Sequence, residues 1–209
     1  MRTKIHFIRH GNVTNPDNIL YGRLADFPLS SKGISEAKQT AVRLKSNKID
    51  VIYTSPMLRA RQTAESIHAF HHTVPVIASD KLNEVLTPYQ GMKADDLRHL
   101  NEDFYTGTQK PYEQPADIVE RVENFIGDVR RQDGFHEVVA VTHGDIIVFC
   151  VLGMKGLGVN PENKARLTLA GMQDNYPATA SITTITYFTE SKHEDPMVEY
   201  YSSSREIGK

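Results

Sequence analysis

The sequence is poor in cysteine, and that scarcity already limits what the protein can be. Cys150 is the one cysteine among 209 residues, so an intramolecular disulfide is excluded and a reducing compartment is favoured. The longest apolar stretch, residues 146–154, is far shorter than the roughly 20 residues that a membrane span needs. The N-terminal apolar run is broken too early for a secretory signal. We therefore expect a cytoplasmic protein without a membrane partner.

An excess of charge of one sign is also missing. Lys and Arg number 24 against 26 Asp and Glu, which leaves a formal net charge of −2, and no window is dense in basic residues. A nucleic-acid-binding surface is therefore not expected. The 13 Gly and 10 Pro, with 39% hydrophobic residues, exclude collagen-like, low-complexity and wholly disordered chains. Any anion that binds this protein has to meet a local cluster of positive groups.

The length fits one large domain that carries an insertion. Residues 1–209 correspond to about 1.4 domains of average size, enough to build a core without a metal or a disulfide. Between residues 82 and 115 the hydrophobic pattern weakens, and glycines and prolines separate short helical pieces such as residues 94–100. We interpret residues 82–115 as a small cap insertion within a single domain.

Elsewhere, strand patterns alternate with helix patterns. Such alternation predicts an α/β sandwich with a largely parallel sheet. Ser55 and Pro56 supply an N-cap and a first-turn proline for one of the helices. The predicted strands are residues 5–8, 50–54, 74–77 (an edge strand, because of Pro75), 138–142, 181–187 and 198–202. The predicted helices begin at Ser31 (apolar face Ile34, Ala37, Ala41 and Leu44), cover residues 55–68 and 118–129, and follow Asp145 to about Leu157.

Three polar clusters follow predicted strands or open the next helix. They are Arg9-His10, residues 55–59 and residues 143–145. Because ligands of open α/β sheets bind at the carboxyl edge of the strands, we expect these clusters to converge there. Arg59 lies in a first helical turn, where backbone N–H groups favour an anion. The loop of residues 12–28 is long, which is typical of a functional loop.

Four motifs appear in an order that resembles the histidine phosphatase superfamily, in its phosphoglycerate mutase-like branch. They are Arg9-His10-Gly11, Ser-Pro-Met-Leu-Arg-Ala-Arg-Gln-Thr-Ala at residues 55–64, Leu82-Asn83-Glu84, and Val-Thr-His-Gly-Asp at residues 141–145. The resemblance runs from Lys4 to about Leu157. It implies a three-layer α/β/α sandwich, phosphoglycerate mutase-like, with a small cap.

The resemblance also implies a role for each motif residue. His10 would attack phosphorus and become a phosphohistidine, while Arg9, Arg59 and His143 would surround the phosphoryl group. Such a set can compensate the charge of the transition state without a metal or other cofactor. The non-attacking nitrogen of His10 should donate to a carbonyl or carboxylate. Glu84 would protonate the leaving oxygen and then activate water, and nearby phosphate should raise its pKa.

Four further residues are implied to bind the substrate, which we expect to be a small phosphorylated metabolite. They are Asn15, Gly22, Arg23 and Gly144. Asp145 stands where a second glycine is common in the family, and it would either cap the next helix or orient a catalytic group. The residues also available to line the pocket are Leu20, Tyr21, Phe27, Tyr89, Phe104 and Tyr105.

Several functions remain open on the sequence alone. The leading hypothesis is a metal-independent phosphomonoester hydrolase. A phosphoglycerate mutase is the nearest alternative, but the interval of 59 residues from Glu84 to His143 predicts a small cap that favours water as acceptor. A phospho-ligand binding module without strong catalysis is a second alternative. A metal hydrolase that uses His10 and His143 is a third.

Other titratable groups fit ordinary structural roles. No ligand spacing completes the apparent metal cluster of His68, His71 and His72, which we interpret as surface histidines. Cys150 is expected to be a buried, inert thiol. Glu102, Asp95 and Asp96 are the carboxylates that could replace Glu84 as proton donor. Exposed edge strands leave room for a homodimer.

Overall fold

A computed structural model describes residues 2–191 and 194–202. Its regular elements follow the predicted alternation of strand and helix. They are β1 Thr3–Arg9, α1 Ser31–Leu44, β2 Val51–Thr54, α2 Leu58–His68, β3 Val76–Ala78, α3 Pro115–Arg130, β4 Glu137–Thr142, α4 Gly144–Met154, β5 Ile182–Tyr187 and β6 Met197–Tyr201. Short 3-10 turns occur at Asp80–Leu82, Arg98–Leu100, Pro161–Asn163 and Leu167–Ala170.

The six strands form one sheet in the order β3-β2-β4-β1-β5-β6. The pairs among β3, β2, β4 and β1 are parallel, whereas β5 is antiparallel to both of its neighbours, β1 and β6. The prediction of a largely parallel sheet is therefore confirmed, and β3 lies at an edge as Pro75 indicated. In the register of β1 and β4, Arg9 is opposite Thr142, so both strands end at the same level.

Helices cover both faces of this sheet, which gives the predicted three layers. Successive strand residues alternate between two core clusters: Phe7 and Val138 contribute to one, Ile8 and Val139 to the other. The first cluster includes α3 and α4, and the second includes α1 and α2. Burial on both faces explains the continuous apolar run of β4.

α1 presses its first turn against the loop that follows β1. Ser30 caps the helix by accepting a hydrogen bond from the Gly33 N–H at 3.1 Å. A Cβ at Gly33 would lie 1.9 Å from the Asn12 carbonyl oxygen, and one at Gly11 would lie 2.5 Å from that of Gly33. Because of this close approach, Gly33 is buried against the loop, and Ile34, which was predicted to belong to the apolar face, is 43% exposed.

Several element boundaries differ from the prediction. α2 begins at Leu58 after the extended Met57, so Ser55 does not cap it. The edge strand is shifted to Val76–Ala78, because Pro75 cannot donate to the sheet ladder. Residues 94–100 form regular helix only as the turn Arg98–Leu100, and α4 ends at Met154. The interpretation of residues 82–115 as a cap insertion within one domain stays a prediction.

Candidate active site

Two neighbouring strand ends bring two histidines together. His10 follows β1 and His143 follows β4, and the His10 backbone N–H donates to the Thr142 carbonyl at 3.0 Å. Their ring centroids lie 5.2 Å apart. Arg59, in the first turn of α2, and Glu84 reach the same place from the next strand and from the chain after β3. The predicted convergence at the carboxyl edge is therefore observed.

His10 is held with one ring nitrogen bonded and the other unbonded. The side chain is buried, and Nδ1 lies 2.8 Å from the Gly11 carbonyl oxygen. Because a carbonyl only accepts, Nδ1 carries the proton and Nε2 keeps its lone pair. Among the described residues Nε2 has no hydrogen-bond partner. Burial, then His143, Arg59 and Arg9, lower the pKa of His10 well below its usual range, so the ring is neutral.

His143, Arg59 and Glu84 form one connected cluster behind His10. An Arg59 terminal nitrogen lies 3.1 Å from His143 Nδ1 and 3.4 Å from a Glu84 oxygen, and it donates to the Gly22 carbonyl at 2.8 Å. His143 Nδ1 is 3.2 Å from the same Glu84 oxygen, and Nε2 is 2.8 Å from Ser55 Oγ. Burial and the positive charge of Arg59 lower the pKa of His143 to about 4, although the Glu84 carboxylate acts in the opposite direction.

The pKa of Glu84 is set by its two side-chain neighbours. Burial alone would raise its pKa, but His143 and then Arg59, together with the Val85 N–H, hold the pKa well below its usual range. The expected rise of this pKa beside a phosphate stays a prediction. Of the carboxylates considered as substitutes, Asp95 pairs with Arg98 in an exposed ion pair.

Arg9 is aimed at the site by the segment before β5. Its NH1 group donates to the Pro177 carbonyl at 2.6 Å, and its guanidinium lies 5.0 Å from the ring centroid of Tyr176. The Nε atoms of Arg9 and Arg59 are buried without a hydrogen-bond partner. Unpaired buried N–H groups are costly, so two such donors beside His10 indicate a site for an anion with several acceptor oxygens.

The four residues expected to bind substrate separate into two pairs. Gly22 and Gly144 line a cavity of about 500 Å³ that His10 also lines, which is the size of a small-molecule site. Asn15 and Arg23 are not among its lining residues, and their role in substrate binding stays a prediction. The Asn15 amide closes its own loop by pairing with both backbone groups of Ile19, at 2.9 and 3.1 Å.

Arg23 supports the loop of Glu84. Its Nε donates to the Glu84 carbonyl at 2.6 Å, and its NH2 group pairs with Glu113 at 2.8 Å. Arg121 shares the Glu113 carboxylate, with Nε at 2.7 Å. Arg23 therefore holds the backbone behind the cluster while Glu84 itself faces the cavity.

The cavity wall is rich in aromatic side chains. Leu20, Tyr21, Phe104 and Tyr105 line it as the sequence allowed, whereas Phe27 stacks on Tyr21 and Tyr89 packs beside Phe104. The remaining lining residues are Arg9, His10, Gly22, Glu84, Val85, Thr87, Glu102, Gly144, Asp145, Lys164 and Tyr176.

Asp145 connects three parts of this wall. One carboxylate oxygen accepts from Tyr176 Oη at 2.6 Å, and the other accepts from Tyr105 Oη and lies 3.0 Å from Lys164 Nζ. His143, not Asp145, is the N-cap residue of α4, so the capping alternative is wrong. Lys164 and Tyr176 were missed because they lie in a segment without a motif or a clear hydrophobic period.

The same cluster has the composition of a metal site. One ligand atom from each of His10, Glu84 and His143 lies within 4.8 Å of the others, so these groups could hold an ion.

The other groups singled out from the sequence lie away from this cluster. The rings of His68 and His72 pack against each other, with their centroids 6.2 Å apart. Cys150 is buried in the core, and burial raises the pKa of its thiol. Across residues 2–191 and 194–202, the structure has no helix of the length and apolarity that crossing a bilayer requires.

Comparisons with known proteins agree with this geometry. The family model of the histidine phosphatase superfamily (branch 1) matches residues 5–192. Phosphoserine phosphatase 1 of Hydrogenobacter thermophilus is 31% identical over 150 residues, 67% of this chain and 70% of the relative. Phosphoglycerate mutase 1 of Saccharomyces cerevisiae is 31% identical over 128 residues, 58% of this chain and 52% of that one. The structure of a phosphoserine phosphatase with 3-phosphoglyceric acid from Entamoeba histolytica superimposes with a TM-score of 0.74 and 23% identity, covering 98% of this chain and 99% of the other.

Proposed function

We propose that this chain, which belongs to the histidine phosphatase superfamily (branch 1), hydrolyses small phosphomonoesters without a metal ion, through a phosphohistidine on His10. The observation that carries the proposal is the bonding of His10: Nδ1 is fixed on the Gly11 carbonyl, while Nε2 is unbonded in a ring on which Arg9 and Arg59 act, and the buried Nε–H donors of both arginines are unpaired. A phosphoryl group is an anion with enough oxygens to pair both donors.

The first chemical step forms the phosphohistidine. The lone pair of His10 Nε2 attacks phosphorus as the ester P–O bond breaks, and Arg9 and Arg59 hold the equatorial oxygens. Glu84 gives its proton to the leaving oxygen. It acquires that proton in the complex, because the bound dianion opposes the attraction that Arg59 exerts on the carboxylate.

The second step returns the enzyme to its starting state. Glu84, now a carboxylate, takes a proton from water, whose oxygen attacks phosphorus. The P–N bond breaks, inorganic phosphate leaves, and the electron pair returns to His10 Nε2. Water is favoured over a second substrate oxygen as acceptor because the interval between Glu84 and His143 leaves only a small cap, which is the reason for ranking hydrolysis above mutase activity.

The experiment combines an aryl phosphate assay in the presence of a chelator with acid-free quenching after mixing with a ³²P-labelled substrate. We expect full hydrolysis in chelator and an acid-labile label on the protein that His10→Ala abolishes and the exposed control His72→Ala retains. Loss of activity in chelator with recovery on adding a divalent ion would favour the metal hydrolase on His10, Glu84 and His143. Binding of phosphate with neither label nor turnover would favour a binding module.

A further inference from the structure

The charged side chains around the cavity form two groups. Arg9 and Glu84 line the cavity with His10, and Arg59 is buried behind them and pairs with Glu84. The second group consists of one cation, Lys164, and two carboxylates, Asp145 and Glu102, which also line the cavity. Because a phosphate dianion matches the two arginines and Glu84 acts as proton donor, the groups left to meet the rest of the substrate have a net charge of −1.

Lys164 is not available for a second anion. Its Nζ lies 3.0 Å from an Asp145 oxygen and 3.1 Å from the Glu102 carbonyl oxygen, and 4.9 Å from the ring centroid of Phe104. Its side chain is only 7% exposed. The ammonium is therefore surrounded by a carboxylate, a carbonyl and an aromatic face, which together satisfy a buried cation.

Two neutral donors beside this second group are engaged as well. The hydroxyl groups of Tyr105 and Tyr176 both donate to Asp145. The Glu102 carboxylate, in contrast, belongs to an exposed residue and has no hydrogen bond or ion pair with any described residue. Its backbone carbonyl is bonded to Lys164 and its φ is +64°, so the residue is held at the cavity wall in a left-handed conformation. The second group thus offers the Glu102 carboxylate as an acceptor, and its one ammonium is already paired.

We infer that the alcohol part of the substrate has hydroxyl or ammonium donors and no second anionic group. The inference rests on the proposed phosphatase function and names the substrate class of that same cavity. A carboxylate on the leaving group would meet the unpaired Glu102 carboxylate, while the one ammonium of this group is already paired with Asp145, so the like charges would disfavour its binding. The same distribution opposes mutase activity on phosphoglycerate, which carries such a carboxylate.

The test uses matched pairs of substrates that differ by one carboxylate. They are glycerol 1-phosphate against 3-phosphoglycerate, and phosphoethanolamine against phosphoserine, with 4-nitrophenyl phosphate as the reference. We expect kcat/KM to be at least about tenfold higher for the member without the carboxylate in both pairs. The same compounds, used as competitors of aryl phosphate hydrolysis, should show inhibition constants in the same order.

Two variants separate a charge effect from a shape effect. Glu102→Gln removes the carboxylate with little change of size, and it should narrow the preference within each pair by about threefold or more. Glu120→Gln removes an exposed carboxylate of α3 outside the cavity and should leave both the preference and the activity unchanged. Equal effects of the two variants would contradict a local role of Glu102.

The outcomes also distinguish the two proposals. Aryl phosphatase activity together with equal or better use of the carboxylated members overturns the substrate inference and leaves the proposed function standing. Absence of turnover on every compound, the aryl phosphate included, overturns both. A tenfold preference that Glu102→Gln narrows supports the inference.

Discussion

Two buried histidines, four positions apart at the N-terminal strand, are bonded in opposite ways. His6, within β1, has Nδ1 2.9 Å from Thr184 Oγ1 and Nε2 2.8 Å from a Glu137 oxygen. His10, just beyond β1, has one nitrogen bonded and the other facing a cavity. The two residues therefore share their type and their burial, and they differ in the number of ring nitrogens that have a hydrogen-bond partner. A buried polar group that the fold leaves unpaired indicates a place for a ligand.

The comparison is tested most strongly by replacing each histidine in turn. His10→Ala should lower kcat by at least about 10⁴-fold and change stability little, because it removes the nucleophile and one hydrogen bond. His6→Ala should retain kcat per folded molecule and lose about 1–2 kcal/mol of unfolding free energy, because Glu137 loses a partner. Aryl phosphate kinetics and urea unfolding measure the two effects. Comparable kinetic losses in both variants would remove the distinction.

A second experiment leaves one ring nitrogen of His143 without its partner, as Nε2 of His10 already is. Ser55→Ala removes the partner of His143 Nε2, which lies 2.8 Å from Ser55 Oγ, and frees the ring to shift relative to Glu84 and Arg59. We expect kcat to fall by about tenfold with a smaller effect on KM. Ser66→Ala, whose hydroxyl donates to Gln62 within α2, is the matched control. Identical kinetics of the two variants would show that Ser55 does not position His143.

The pH dependence of kcat/KM sharpens the contrast further. The neutral form of His10 is the nucleophile, and it is lost only when pH falls through a pKa that burial and neighbouring positive groups place well below 6.5. Protonation of Glu84, which the first step needs, increases in the same direction. The value of kcat/KM at pH 5 should therefore equal or exceed that at pH 7, within about threefold. A decline with an apparent pKa near 6.5 would contradict the assignment of His10 as a desolvated nucleophile.

The smallest effect is expected at Glu137, the hydrogen-bond partner of the fully bonded His6. The hydrogen bonds with His6 and with Asn47 lower the pKa of Glu137 from 4.5 to about 2, although burial acts in the opposite direction. The stabilisation is complete above pH 4.5 and is lost as the pH falls towards 2, because the unfolded chain binds the proton more readily. Solvent access limits the loss to about 1–2 kcal/mol. Urea unfolding from pH 6 to pH 2.5 should show a shallower decline for Glu137→Gln than for the unaltered protein.

Motif order predicted the meeting of His10, Arg59 and His143, because each follows a strand of one parallel sheet and such ends share an edge. The partners of these residues were less accessible. Lys164 lies in a segment that lacks a hydrophobic period, and its position depends on tertiary contacts with Asp145. The pKa of Glu84 depends on distances of 3–4 Å to His143 and Arg59, which a linear sequence does not contain.

Local chemistry also misdirected some predictions. Ser55 before Pro56 has the sequence of a helix start, yet the hydroxyl bonds to His143, and the helix begins three residues later. Asn15 has the residue type of a phosphate ligand, but its amide is satisfied within its own loop. In both cases a polar side chain had two available partners, and the three-dimensional contacts decided between them. A homodimer through exposed edge strands and a cytoplasmic location stay predictions.

The contact between Gly11 and Gly33 makes a position distant from His10 in the sequence as restrictive as the site itself. Saturation mutagenesis scored by growth or by enzyme assay should find position 33, on the first turn of α1, intolerant of every side chain, because a methyl group there meets the backbone of Asn12. In comparisons among natural variants such a position would be scored as catalytic. It marks instead where a helix is seated on the loop that sets the direction of His10.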